Sequence, residues 1–220
     1  MLHQPSLATL RAALPEYGKF RFDVTLQAAR DAIGEDADAA NPLHAAHLRE
    51  WLNRWICHIP YPLAGQQDMF ATALGSWWMS SGQSGLPARG STLAGLTDHE
   101  LEAIAATYAN LRPRPAASYR NGRTRSIGPT ATAKVLYFIR PESITPWDNQ
   151  IARRTGGGYT ESAFLQHLTL CRRWAAAIEE EGKALGLTSA EIGPAIGRPK
   201  SSVAKLIDEW LYATVTRGFG

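Results

Sequence analysis

Cysteine is scarce in this 220-residue chain: Cys57 and Cys171 lie far apart, with no second cysteine near either. That excludes a disulfide framework and any four-cysteine zinc or iron–sulfur site, and it points to a reducing, cytoplasmic setting. Long apolar runs are missing too. No stretch approaches the ~18 uninterrupted apolar residues of a membrane span. The first twenty residues, MLHQPSLATLRAALPEYGKF, lack the basic-then-apolar order of a signal peptide. Strand-like alternation is rare, because the β-branched residues never cluster with period two. Excess charge is small: 23 Lys+Arg against 20 Asp+Glu leave +3, which permits a nucleic-acid partner without requiring one.

What is present is helical periodicity. Hydrophobic residues make up 45% of the chain and charged residues 20%, the balance of a folded protein of one or two domains. From 42 to 57, Leu43, Ala46, Leu48, Trp51, Leu52, Trp55 and Ile56 recur mostly three or four apart. Met69, Phe70, Ala73, Leu74, Trp77 and Trp78 repeat the pattern over 68–79. Thr97-Asp98-His99-Glu100 reads as a capping box opening a helix through Leu111. Further helices are expected over 129–138 (Pro in the first turn), 148–154, 162–185, 189–196 and 201–215. The class expected is all-α.

Charge is concentrated in one segment. From Arg112 to Arg154 there are nine basic residues (Arg112, Arg114, Arg120, Arg123, Arg125, Lys134, Arg140, Arg153, Arg154) against Glu142 and Asp148, a net +7 in a remainder of −4. A basic island of this kind is the footprint of a phosphate-binding face, or of a solvated loop. Within it, Arg125-Ser126-Ile127-Gly128-Pro129-Thr130 runs from a tight turn into a helix whose first N–H groups lack intrahelical partners, a geometry suited to a phosphate oxygen. Asp148 then stands twenty residues after Gly128, in Thr145-Pro146-Trp147-Asp148-Asn149-Gln150-Ile151-Ala152-Arg153.

Over about 124–154 these residues resemble the helix-hairpin-helix DNA glycosylase superfamily. Its hairpin usually reads Leu-Pro-Gly-Val-Gly, and an essential Asp follows the second glycine by twenty residues. Ile127 and Gly128 keep the hairpin signature, while Thr124-Arg125-Ser126 replaces Leu-Pro-Gly. The family's Thr-His-Val-x-Arg after the Asp survives here as the aliphatic Ile151 and Arg153. The resemblance implies a two-lobed fold around a cleft. A central bundle at 41–143 would include the hairpin, and 1–40 plus 144–220 would form the second lobe. It also implies that Asp148 stabilises positive charge on the deoxyribose and orients or deprotonates the attacking water. Arg123, Arg125, Ser126, Ile127, Gly128, Thr130 and Arg153 would hold DNA.

Members that also cut the strand carry a Lys two residues after the second hairpin glycine. Here that position is Thr130, which implies a monofunctional enzyme that leaves an abasic site. Lys134, one helical turn further, is the fallback amine. Extrusion of the base needs a pocket with aromatic walls. The candidates are Trp77, Trp78, Tyr61 and Trp147, with Trp51 and Trp55 behind them, and Gln66 and Gln67 are candidate wedges into the duplex. Trp147 also suits a core, and Asp148 also suits a helix cap. His44, His47 and His58 have no supporting ligands, so no metal is expected. The resemblance implies no cofactor beyond a monovalent cation at the hairpin, and a monomer acting on double-stranded DNA away from membranes. Its substrate is a modified or mismatched base, in repair or in defence against phage DNA carrying hypermodified bases such as glycosylated hydroxymethylcytosine. A second reading is a non-catalytic DNA-binding regulator. The pair of helices at 188–215 resembles a helix-turn-helix, with Ser201, Ser202 and Lys205 toward the groove, or else forms a packed hairpin completing the second lobe.

Overall fold

Side-chain oxygens placed one residue ahead of an apolar stripe start most of the helices. The computed structural model describes residues 2–18, 22–34, 36–119, 122–155 and 157–219; Arg120 of the basic island lies outside them. Ser6 caps α1 (Leu7–Tyr17), and α2 spans Phe22–Ile33. Asn41 caps α3 (Pro42–Arg54), with Pro42 in the first turn where its missing N–H has no intrahelical role. Asp68 caps α4 (Met69–Trp77) through Oδ1, and its Oδ2 takes the guanidinium of buried Arg49 at 2.7 Å, locking α4 to α3. α4 continues as a π-helical turn over Trp78–Gly82. Thr97 and Glu100 close the expected capping box on α5 (Asp98–Leu111).

The described residues are mostly helical, as the all-α class requires, with one short exception. Pro115–Ser118 (β1) and Thr124–Ser126 (β2) pair antiparallel as a short ribbon between α5 and α6 (Pro129–Ile139). The Pro-Arg-Pro run gives no period-two pattern, so nothing in the sequence announced it. The ribbon is closed at its base by Ile127 N–H to Arg114 O (2.9 Å) and Gly128 N–H to Arg112 O (3.0 Å). Downstream come α7 (Asn149–Thr155), α8 (Glu161–Ala184), α9 (Ser189–Ala195) and α10 (Val203–Leu211), which runs into a π-helical turn over Tyr212–Thr216.

One apolar core runs through these helices. α8 packs on α5, α7, α9 and α10, α1 packs on α10, and α2 packs on α3. α10 is buried along its whole length. Lys205 is 2% exposed and bonded to Tyr17 and Asp208, Ser202 donates to Pro141 O, and Ser201 Oγ donates to Glu209. The hydroxyls and amine expected to face a groove therefore point into the protein, as in a packed hairpin. Gly193 makes this closeness possible: a Cβ there would sit 2.4 Å from Ser201 O. Among the described residues no helix is long and apolar enough to cross a membrane.

Candidate functional site

The hairpin glycine sets the site. Gly128 has φ +82°, a left-handed conformation costly for residues with a Cβ, and it caps α6 without a side-chain bond. The chain can therefore turn sharply from β2 into α6, whose first turn opens on a cavity of about 530 Å³. Ile127, Gly128 and Thr130 line one side of it, Trp147 and Asp148 another, and Trp55 to His58 a third. Tyr17, Asp208 and Tyr212, from the two ends of the chain, complete the wall.

Asp148 both caps and faces the cavity. Its Oδ1 accepts the N–H groups of Gln150 and Ile151, each at 2.9 Å, which leaves Oδ2 without a bond among the described residues. The neighbouring Trp147 anchors this turn. It is 1% exposed, packed between Phe164 and Tyr108, stacked on His167, and its Nε1 donates to Thr155 Oγ1 at 3.3 Å. Burial lowers His167 to about 3, so the stacked ring is neutral. Trp147 is thus a core residue that also borders the cavity.

Lys134 also lines the cavity. Its Nζ donates to Trp55 O at 2.9 Å and lies 5.0 Å from the Trp55 ring centroid, with Cys57 Sγ at 3.8 Å. Burial pushes the Cys57 thiol up, against the pull of Lys134 and Arg125. Arg125 reaches back to Cys57 O at 2.8 Å and so braces the ribbon against the 55–58 segment. That segment is strained: Ile56 (φ 63°) and His58 (φ 52°) both hold left-handed backbone. Both line the cavity from exposed positions.

Several expected residues lie elsewhere. Trp77 and Trp78 are buried in the core, their rings tilted against each other at 5.8 Å, with Trp77 Nε1 directed to Thr107 O. Their helical spacing marks packing, and neither lines the cavity. Tyr61 is exposed and stands against Arg49 at 4.9 Å, outside the cavity wall. Gln66 and Gln67 are exposed in the loop ahead of α4, where Gln67 bonds Thr72; Ile56 and His58, not these glutamines, stand at the cavity.

The basic island divides. Lys134 and Arg140 are buried, Arg140 donating to Pro87 O at 2.6 Å, and Arg112 is bonded to Tyr159 O. Arg123 on the ribbon and Arg153 and Arg154 on α7 are exposed, and so is Ser126. A monovalent cation at the hairpin would need converging carbonyl oxygens. The carbonyls of Arg112 and Arg114 each take one N–H group, from Gly128 and Ile127 respectively. No group of three potential metal-ligating side chains occurs among the described residues.

Three wall residues had no signal in the sequence: Tyr17, at the end of α1, and Asp208 and Tyr212, nearly two hundred positions later. Tyr17 and Tyr212 meet edge to face at 5.9 Å. Asp208 Oδ2 holds Lys205 Nζ at 2.6 Å. Burial raises the Asp208 carboxyl, Lys205 opposes that, and the nearby charge of Asp148 adds to the rise. Burial alone would lower Lys205, but Asp208, Tyr17 and Glu209 hold its ammonium well above the ordinary lysine value. The arrangement is an aromatic-walled cavity with one accessible carboxylate at its edge and a second, ion-paired one in its wall. Comparison with known protein families, with curated proteins and with solved structures finds no match for this chain.

Proposed function

We propose that the protein is a monofunctional DNA glycosylase of the helix-hairpin-helix type, two-lobed, that flips a modified or mismatched base out of double-stranded DNA and releases it by hydrolysis. One observation carries the reading: Asp148, twenty residues beyond Gly128, presents an unbonded carboxylate oxygen to an aromatic-walled cavity that opens beside the hairpin turn. A cavity of about 530 Å³ is ample for an extruded base, with Trp55, Tyr17 and Tyr212 as walls.

In this mechanism the bond between C1′ and the base nitrogen breaks and its electron pair leaves with the base. The deoxyribose acquires oxocarbenium character, which the Asp148 carboxylate stabilises at short range. Water adds to C1′, Asp148 receives its proton, and that proton passes on to the released base, leaving an abasic site. Water is the nucleophile because Thr130 supplies no amine and Lys134 Nζ is already held by the Trp55 carbonyl and indole face. Ile56 and His58, on their strained turn at the cavity, fill the duplex gap left by the base. The exposed Arg123, Arg153 and Arg154 bind phosphates, the Thr130 N–H at the open end of α6 adds a main-chain donor, and Ser126 lies beside them.

The test is incubation with duplexes carrying single modified or mismatched bases and with phage DNA containing hypermodified cytosine, followed by alkali to reveal abasic sites. Abasic sites from the wild type, absent with Asp148→Asn while duplex binding persists, support the reading. Equal activity of the variant overturns it. Borohydride should trap no covalent adduct; an adduct would show an amine nucleophile, with Lys134 the first to test.

A further inference from the structure

Asp208 is a buried carboxylate that the chemistry assigned to Asp148 does not use. It lines the same cavity, from α10, and lies close enough to Asp148 for the two charges to interact. Its position is tightly fixed. Lys205 Nζ binds Asp208 Oδ2 at 2.6 Å and the Tyr17 hydroxyl at 2.7 Å, and lies 3.8 Å from Glu209 Oε1. Lys205 itself is 2% exposed, so this cation holds the carboxylate from the protein side and does not compete for the cavity. The Trp55 ring stands 5.4 Å from the same Nζ, and Tyr212 meets the ring of Tyr17. The ion pair therefore sits where the aromatic walls converge, the place an inserted base would reach.

We infer that Asp208 reads the extruded base by accepting a hydrogen bond from an amino group on its edge, so that the substrate is an amino-bearing base of the cytosine or adenine type. The inference rests on the glycosylase reading and names its substrate class. A carboxylate is an acceptor only. Cytosine N4 and adenine N6 are donors, whereas uracil, thymine and hypoxanthine place a carbonyl oxygen at the same position. A carbonyl facing Asp208 would leave two acceptors opposed in a desolvated pocket, the arrangement that gives hydrogen-bonding sites their strong rejection of near-isosteres. An amino group instead completes the carboxylate already held by Lys205.

The experiment uses the full-length protein and duplexes in matched pairs that differ only by amino against carbonyl. Suitable pairs are 5-hydroxymethylcytosine with 5-hydroxymethyluracil, their glucosylated forms, and adenine with hypoxanthine, read as alkali-labile sites. The amino member of at least one pair should be released on the order of 10²-fold faster than its carbonyl partner. Asp208→Asn, whose amide both donates and accepts, should shrink that ratio toward one. If Asp208→Asn fails to fold because Lys205 loses its partner, Lys205→Met/Asp208→Asn leaves no unpaired cation and replaces it. Release of carbonyl members as fast as or faster than amino members overturns the inference and leaves the glycosylase reading standing. So does a ratio unchanged by the Asp208 variants. No abasic site from any duplex overturns both.

Discussion

The imidazole of His167 lies against the indole of Trp147, ring centroids 5.6 Å apart and planes 22° from parallel, and Trp147 immediately precedes Asp148. The stack is made by a neutral ring, since burial lowers His167 to about 3. The unfolded imidazole titrates near 6.5, so between pH ~6.5 and ~3 the unfolded state holds the extra proton. Stability from this ring is complete above pH ~6.5 and falls as pH drops, by up to about 1.4 kcal/mol per pH unit. Urea unfolding from pH 7 to 4.5 should show this slope. His167→Phe, which keeps a flat ring but cannot titrate, should flatten it; an unchanged slope would show that other groups dominate.

Asp148 holds the start of α7 through Oδ1 and faces the cavity with Oδ2, and two substitutions separate these roles. Asn caps a helix about as well as Asp, so Asp148→Asn should melt close to the wild type while losing base release. Asp148→Ala removes the cap as well and should cost about 1 kcal/mol. Thermal melts beside the abasic-site assay distinguish them, and a large loss of stability in Asp148→Asn would contradict this division.

Trp77 and Tyr212 should fail in opposite ways. Trp77→Ala empties a fully buried site and should destabilise the fold by about 3–5 kcal/mol. Tyr212 is half-buried in the cavity wall, so Tyr212→Ala should lower base release far more than stability. Denaturation midpoints and single-turnover rates on the same samples decide; a Trp77→Ala protein that is stable but inactive would return Trp77 to the pocket.

Arg153 and Arg125 predict different salt behaviour. Arg153 is exposed, and Arg153→Ala should lower the slope of log affinity against log salt by about 1 through loss of a phosphate contact. Arg125 donates to Cys57 O. Arg125→Ala should therefore loosen the 55–58 segment and reduce stability by about 1.5–3 kcal/mol, the usual range for a charged hydrogen bond. Fluorescence anisotropy at 50–200 mM salt separates the two, and equal slopes for wild type and Arg153→Ala would remove Arg153 from the DNA contacts.

The helices from α3 onward were legible because their signals are local. Thr97 with Glu100 forms its capping box where the pattern placed it, and α8 and α6 end within one or two residues of expectation. The ribbon escaped because pairing Pro115 with Ser126 depends on backbone closure rather than side-chain alternation. For the tryptophans, spacing identifies a helical stripe but not whether the stripe meets a core or a cavity. Thus Trp77, in one such stripe, is buried in the core, while Trp55, in another, stands in the cavity wall. Tyr17, Asp208 and Tyr212 are brought together by the packing of α1 on α10 and on the π-helical turn that follows it.

That packing has a kinetic consequence. The Tyr17–Tyr212 contact closes a loop of almost two hundred residues, and such long-range closures carry the largest entropic penalty and slow folding. The segment from Gly128 to Asp148 is anchored by contacts closer in the chain, with Trp147 packed on Phe164 and His167. The wall that would confine a base arrives only when the two distant ends have met. A partly folded chain would thus present a carboxylate with no chamber around it, and the capacity to discriminate between bases would appear together with completed folding.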